Sequence, residues 1–320
     1  MMEETPLFSV VIPLLNESDN IIPLLKEISD VMSRQAWPYE ILLIDDGSTD
    51  ATPQILKKLI QEDPHVRAFI FRAHRGKSAA LACGFQNARG NYVVTLDGDL
   101  QDSPEEITTL WKVMKEENAD LVSGWKKKRN DPWHKIVSSR IFNAFARGIT
   151  GLRLHDFNCG LKLYRAVVIR DLPLYGELHR FIPALVSWRG FRVTEAPVIH
   201  RPRKFGKSKY GIERMFGMVV DLLTVAFLMR YEGKPSHLFS GFGLVFLAVG
   251  VLINAHLLLT KLLGGSIAPH YPYMVLGVTL LLIGLQCVFF GLLAEMVLYF
   301  SRDRVSRGFC HSFPPEEPGR

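Results

Sequence analysis

YVVTLDGDLQDSPEE, residues 92–106, joins an apolar, β-branched run to a cluster of carboxylates. Tyr92, Val93, Val94, Thr95 and Leu96 have the length and composition of a buried strand. Asp97, Gly98 and Asp99 stand at its carboxyl end, with Gln101 and Asp102 close behind. Alternate side chains of an extended backbone share a face, so Asp97 and Asp99 are expected to project together. Gly98 is expected to leave room for a bulky ligand against the backbone. Two carboxylates held side by side repel unless a cation lies between them. Mg2+ or Mn2+, shared with phosphate oxygens of a substrate, meets that need. A solvated turn also accommodates an Asp-Gly pair, and this stretch alone favours neither reading.

Working toward the N-terminus, two more apolar runs end in polar clusters. Phe8 to Leu14 leads to Asn16-Glu17, and Glu40 to Asp45 leads to Asp46-Gly47-Ser48. Val66 to Phe71 and Asp120 to Ser123 continue the series of strands. Helices are expected over Glu17 to Ser33, Thr52 to Glu62, Ser78 to Ala88 and Pro104 to Glu117. Strands and helices alternating at this spacing predict an α/β fold, with a mainly parallel sheet covered on both faces. Ligands bind such sheets outside the carboxyl ends of the strands. Three polar clusters on one rim read as a site, where one alone reads as a turn.

Working toward the C-terminus, the pattern loosens after Gly124. A basic run, Lys126 to Arg129, precedes a helical stretch from Pro132 to Ile149; a solvated face is the ordinary reading of such a run. HDFNCGLKLYR (155–165) and YGELHRFIPALV (175–186) follow, then a short strand over Phe191 to Ile199 and the basic RPRKFGKSKYG (201–211). Glu177, His179 and Arg180 form a polar knot that fits a core role or an acceptor-side role equally. Gly211 to Tyr231 is apolar but carries Glu213, Arg214, Asp221 and Arg230, a mixture suited to an interfacial amphipathic helix. Leu238 to Leu259 and Tyr273 to Phe300 are each long and apolar enough to cross a bilayer. Arg and Lys concentrate on the outer flanks of this pair, which predicts a hairpin with both ends in the cytoplasm. The expected organisation is a catalytic domain over 1–210, a juxtamembrane helix over 211–234, a two-helix transmembrane hairpin over 235–301 and a cytoplasmic tail over 302–320.

The 320 residues carry a formal net charge of +6, which nucleic acid, an anionic membrane or a phosphorylated substrate would each explain. The hairpin argues against nucleic acid. Four cysteines without a C-x-x-C pair indicate neither a zinc site nor a disulfide framework. The N-terminus lacks the charged and apolar regions of a signal peptide, so a cytoplasmic, membrane-bound catalytic domain is expected.

At this point the chain resembles a family. VVIPLLNE (10–17), IDDGSTD (44–50) and DGDLQDSPEE (97–106) resemble the signature motifs of inverting family 2 glycosyltransferases with the GT-A fold, a Rossmann-like architecture. HDFNCGLKLYR, FGKSKYG and the hairpin resemble the polyprenyl-phosphate branch, which includes dolichyl-phosphate mannose synthase-like enzymes and bacterial polyprenyl-phosphate glucosyltransferases. The resemblance extends to about Ser306. It implies transfer of a hexose from UDP-glucose or GDP-mannose to undecaprenyl or dolichyl phosphate, with inversion, assisted by Mg2+ or Mn2+. It implies nucleotide-sugar contacts at Pro13, Leu15, Glu17, Asp45, Asp46, Asp97 and Lys209, and metal ligation by Asp97, Asp99 and Gln101. Asp99 and Asp156 would serve the chemistry, Asp156 by orienting the acceptor. Lys126, Arg140, Arg203, Lys204 and Ser208 would grip the acceptor phosphate. Several relatives carry arginine where this chain has Lys126, which replaces a bidentate fork by a point charge. His74 to Lys77 are expected only to shape the pocket.

Two other functions fit part of the pattern. A processive polysaccharide synthase would carry a Q-x-x-R-W motif and further membrane helices, neither of which is present in the sequence. A non-catalytic scaffold would have no need of clustered carboxylates at Asp97, Asp99 and Asp156. The sequence leaves the sugar, the chain length of the lipid and a homo-oligomer open.

Overall fold

The computed structural model of the protein describes residues 5–127, 143–144, 146–148, 150–170, 172–201, 224, 227, 231, 234–266 and 268–305. It divides into two compact units, Met1–Ala226 and Phe227–Arg320.

The first unit is built on seven strands: β1 (Phe8–Leu14), β2 (Tyr39–Asp45), β3 (Val66–Ile70), β4 (Tyr92–Thr95), β5 (Leu121–Lys126), β6 (Lys162–Arg165) and β7 (Val193–Val198). They form one sheet in the order β3-β2-β1-β4-β6-β5-β7. All neighbouring pairs are parallel except those of β6, which runs antiparallel to both β4 and β5. Alternation sorts the side chains of β1: Val10 and Ile12 face one core and Val11 the other. The first core takes Leu24 and Ile28 of helix α1 (Ser18–Arg34) and Leu110 and Met114 of helix α4 (Glu106–Glu116). The second takes Leu81 and Phe85 of helix α3 (Lys77–Asn87), with Ile182 and Val186 of the short helix Ile182–Trp188. Helix α2 (Thr52–Glu62) contributes Leu56 to the first core. Helices therefore cover both faces, as the strand–helix alternation predicts.

This topology places the site. The order 3-2-1-4 reverses direction between β1 and β4, and the crevice at such a switch point receives ligands. The carboxyl ends of β1 to β5 and β7 open onto one rim. Because β6 runs the other way, its entry loop, residues 154–161, reaches that same rim. The sequence pattern misses β6, since LKLY is short and its lysine interrupts the apolar run.

The expected elements differ from the observed ones chiefly at their ends. β4 stops at Thr95, two residues before Asp97, and residues 98–99 form a turn with Leu100 at φ 60°. Strand alternation therefore does not set the directions of Asp97 and Asp99. Gly98 is buried against β1, where a Cβ would lie 2.5 Å from the Leu14 side-chain tip, Cδ2. Of the helix expected over 132–149, residues 143, 144 and 146–148 are described and are helical. The interfacial helix expected over 211–231 lies outside the described residues, apart from helical 224, 227 and 231.

The second unit holds two long helices, Pro235–Leu262 and Tyr271–Val305, joined through a 3-10 turn at Ala268–His270. Both are long and apolar enough to cross a membrane. Many of their apolar side chains point outward: Leu252, Leu262, Leu282 and Phe289 are all exposed, unlike those of a buried core helix. The two helices approach through glycines. A Cβ at Gly243 would lie 2.7 Å from the carbonyl oxygen of Gly284, and one at Gly250 would lie 2.8 Å from that of Gly277. Small residues allow this close backbone approach in lipid-facing helices. Near the open end, Ser236 Oγ donates to Glu295 Oε2 at 2.8 Å.

Candidate active site

The loops after β1 and β2 are stitched together by the polar residues of their motifs. Asn16, at φ 53°, donates its backbone N–H to Ser48 Oγ at 2.8 Å and accepts from Thr49 N at 2.8 Å. Asp50 accepts from Ser18 N at 3.2 Å and Thr52 N at 2.9 Å. Burial pushes the Asp50 carboxyl up, but these donors outweigh it and hold the group below its usual value. Ser48, Thr49 and Asp50 thus shape the wall of the crevice. Glu17, between the two loops, accepts from Asn20 Nδ2 at 2.6 Å. Pro13, Leu15 and Glu17 are all partly exposed along this edge.

Asp45 and Asp46 diverge. Asp46 accepts from the backbone N–H of Arg75 at 2.7 Å and of Gly76 at 2.9 Å, and lies 2.8 Å from His74 Nδ1. It fixes the loop ahead of α3. Asp45 uses Oδ1 to accept from Ser48 N at 3.1 Å, while its buried Oδ2 has no hydrogen-bond partner. An orphaned carboxylate oxygen in a polar crevice is a place for a ligand donor such as a ribose hydroxyl.

Across the switch point, Asp97 pairs with Lys77 at the start of α3. A Cβ at Gly160 would fall 2.6 Å from both oxygens of Asp97, so the glycine of the β6 entry loop makes the space that carboxylate occupies. Thr95 Oγ1 donates to the Gly160 carbonyl at 2.7 Å, fixing that loop to the end of β4. Asp99, also partly exposed, accepts from Gln101 N at 3.2 Å. Among the described residues no group of three His, Cys, Asp or Glu side chains forms a cage for a metal ion. Mg2+ and Mn2+ bound with a substrate diphosphate need only one or two protein carboxylates, because the phosphates and water complete the shell. The oxygen donors of Asp97, Asp99 and Gln101 fit that requirement.

Asp156 is buried on the β6 entry loop and accepts from Asn158 N at 3.1 Å. Asn143 holds that loop through His155 O at 2.9 Å and Phe157 N at 3.4 Å, and His155 stacks on Trp125 and pairs with Glu195. Asp97 lines a small pocket with Lys77, Thr95, Cys159, Lys162, Tyr164 and His179. Burial drives the Lys162 ammonium below its usual value, and its Nζ donates to the Cys159 carbonyl. Burial pushes the Tyr164 phenol up. The Cys159 thiol is pushed up to about 12, by burial first and the Asp102 carboxylate second, so it stays neutral and is no nucleophile. His179 Nδ1 lies 3.0 Å from Ser78 Oγ, and Arg180 pairs with Glu177 at 2.7 Å; His179 and Arg180 are buried and Glu177 is partly exposed.

Lys126, at the end of β5, lies 2.8 Å from Asp102 Oδ1. Burial alone would lower its pKa, but the Asp102 carboxylate overrides this and raises it. Burial likewise pushes Asp102 up, and the Lys126 charge outweighs it, holding the group well below the carboxylate range. Both shifts describe an ionised, buried pair. Arg140, Arg203, Lys204, Ser208 and Lys209 lie outside the described residues. The structure thus gathers Pro13, Leu15, Glu17, Asp45, Asp46, Asp97, Asp99, Gln101, Lys126 and Asp156 on one rim. It adds Gly160, Lys162 and Asp102, for which sequence reasoning assigns no role, and Lys77, which is expected only to shape the pocket. Lys162 and Asp102 leave a signal, a charged residue inside a strand-like apolar run and a carboxylate one step beyond the motif.

Residues 9–172 match the model of Glycosyl transferase family 2, just over half the chain. The chain is a family 2 glycosyltransferase. Its relatives extend the match well beyond that segment. It is 38% identical over 306 residues to dodecaprenyl-phosphate galacturonate synthase of Rhizobium johnstonii, covering 94% of this chain and 90% of that protein. It is 34% identical over 291 residues to the undecaprenyl-phosphate 4-deoxy-4-formamido-L-arabinose transferases of Edwardsiella ictaluri and Proteus mirabilis. Those matches cover 90% of this chain and 88% and 87% of the two relatives. The family 2 glycosyltransferase also shares its GT-A fold with solved structures. Mannosyl-3-phosphoglycerate synthase from Rubrobacter xylanophilus superposes with a TM-score of 0.55 at 17% identity, over 71% of this chain and 75% of that one. Glucosyl-3-phosphoglycerate synthase from Mycobacterium tuberculosis, solved with Mn2+ and UDP-glucose, gives 0.51 at 22% identity, over 72% and 82%.

Proposed function

We propose that the enzyme transfers a sugar from a nucleotide sugar to a membrane polyprenyl phosphate, giving a polyprenyl-monophosphate sugar. One observation carries this reading: the similarity to polyprenyl-phosphate sugar transferases spans nine-tenths of the chain and therefore includes the apolar hairpin. The hairpin anchors the protein in the bilayer that holds such a lipid, with the catalytic unit on the cytoplasmic side.

The residues divide the work. Asp45 Oδ2, buried and unpartnered, accepts from the nucleoside, and Pro13, Leu15, Glu17 and Asp46 line the same edge. Asp97, Asp99 and Gln101 hold the divalent cation. When bound, that ion offsets the charge that builds on the departing diphosphate. Lys77, paired with Asp97, sets a fixed cation beside the same position. An oxygen of the lipid phosphate attacks the anomeric carbon, the bond from that carbon to the donor phosphate breaks, and the nucleoside diphosphate leaves with the electron pair. Attack from the opposite face inverts the configuration. A phosphate monoester is already ionised at neutral pH, so no general base is needed and Asp156 orients the acceptor. Arg140, Arg203, Lys204 and Ser208 hold the acceptor phosphate, and Lys209 the donor.

UDP-glucose and GDP-mannose are donor candidates from the resemblance, and the named relatives extend the range to acidic and amino-modified sugars. Purified enzyme in detergent micelles, with Mn2+, undecaprenyl phosphate and a panel of neutral and acidic nucleotide sugars, should convert one of them to a lipid-linked product detected by mass spectrometry. Sugar transfer to water or to a soluble phosphate, with none to lipid across the panel, would overturn the reading.

A further inference from the structure

Asp102 is the last acidic residue of the DGDLQD loop, and it is almost completely buried, with 1% of its side chain exposed. A lone buried carboxylate is costly, so its surroundings indicate its task. Lys126 from the end of β5 lies 2.8 Å from Oδ1, and His200 Nδ1 lies 3.7 Å from the same oxygen. The Lys126 contact is an ion pair at hydrogen-bonding distance, and it is the nearest charge to Asp102. The backbone completes the junction: Asp102 and His200 form an antiparallel bridge, and Arg201 N donates to Gln101 O at 2.8 Å. Ile199 N donates to Glu106 Oε1 at 3.3 Å, and the Arg201 guanidinium reaches Ser103 Oγ at 2.7 Å and Glu27 Oε2 at 2.7 Å. Residues 199–201 thus clamp 101–106 from one side, and Lys126 holds them electrostatically from the other.

Lys126 has only 14% of its side chain exposed, and its ammonium already has a carboxylate at contact distance. Pulling it toward a lipid phosphate would leave Asp102 buried without its counter-ion, which is strongly destabilising. We propose that Asp102 is a positioning residue that, held by Lys126 and His200, fixes the Asp97–Gln101 loop for the donor diphosphate. Lys126 serves as its counter-ion and does not read the acceptor phosphate. This rests on the donor assignment above but not on the identity of the lipid.

The test uses the full-length enzyme in detergent and measures UDP and GDP affinity with Mn2+ by calorimetry, KM for each substrate, and melting temperature. Lys126→Met is expected to weaken binding of the matching nucleotide with Mn2+ at least tenfold while KM for polyprenyl phosphate stays within twofold, and Lys126→Arg to restore the affinity. Should the lone methionine variant not fold, the double variant Asp102→Asn/Lys126→Met, which removes both charges together, supplies the readout. It is expected to melt near the wild type yet keep the weakened nucleotide affinity. Unchanged nucleotide affinity in the double variant would overturn the positioning role. A raised KM for polyprenyl phosphate in Lys126→Met, with nucleotide affinity intact, would return Lys126 to the acceptor. The calorimetry contains no lipid, so an error in the acceptor assignment would leave these affinities unaffected.

Discussion

At the scale of single residues, adjacent carboxylates of one motif do different work. Asp46 engages the Arg75 and Gly76 backbone and the His74 ring, whereas Asp45 keeps one buried oxygen without a partner. Exchanging that oxygen for an amide removes an acceptor and retains the bond from Ser48 if the amide oxygen faces it. Asp45→Asn is therefore expected to weaken nucleotide binding by about ten- to a hundredfold, the worth of a hydrogen bond to a charged group. Calorimetric titration with UDP and GDP reads this directly, and unchanged affinity for both would remove Asp45 from the nucleoside site. Such distinctions are invisible in IDDGSTD, where the two aspartates are equivalent letters. Gly160 likewise reads as a turn residue, and only the fold brings Asp97 into the volume its side chain would fill.

At the scale of elements, local pattern and tertiary pairing divide what the sequence can tell. The helix Thr52–Glu62 and the strand Phe8–Leu14 match their expected bounds, the helix through apolar residues at helical spacing and the strand through a continuous apolar run buried on both faces. The antiparallel β6 escapes, since four residues carry too little periodicity and a buried lysine breaks it. Yet β6 brings the Asp156 loop to the rim, so the most consequential strand was the least legible. The hairpin shows the reverse: its length and apolarity are plain, while its contact face appears only as paired glycines. Gly243 and Gly241 lie on one helix, but a Cβ at Gly243 would meet the Gly284 carbonyl and one at Gly241 would meet nothing within 4 Å. Gly243→Ala is expected to destabilise the detergent-solubilised protein by about 1–3 kcal/mol, a typical overpacking cost, and Gly241→Ala to leave it unchanged. Equal melting curves for the two variants would mean that the helices do not pack through this face.

At the scale of the whole molecule, a GT-A catalytic unit and an apolar hairpin share one chain, and the similarity to relatives named for polyprenyl phosphates spans at least nine-tenths of it. The proposed function specifies which bond is cut. Attack on the anomeric carbon releases a nucleoside diphosphate and leaves a single phosphate in the lipid product, whereas attack on phosphorus would release a nucleoside monophosphate and leave two. In the proposed reaction, Asp97 and Asp99 would hold a metal on the departing diphosphate. The decisive measurement is the nucleotide released per lipid glycosylated, followed by chromatography with mass analysis of the lipid. One nucleoside diphosphate for each polyprenyl-monophosphate sugar is the expected result. Nucleoside monophosphate released with a lipid diphosphate sugar would contradict the proposed chemistry.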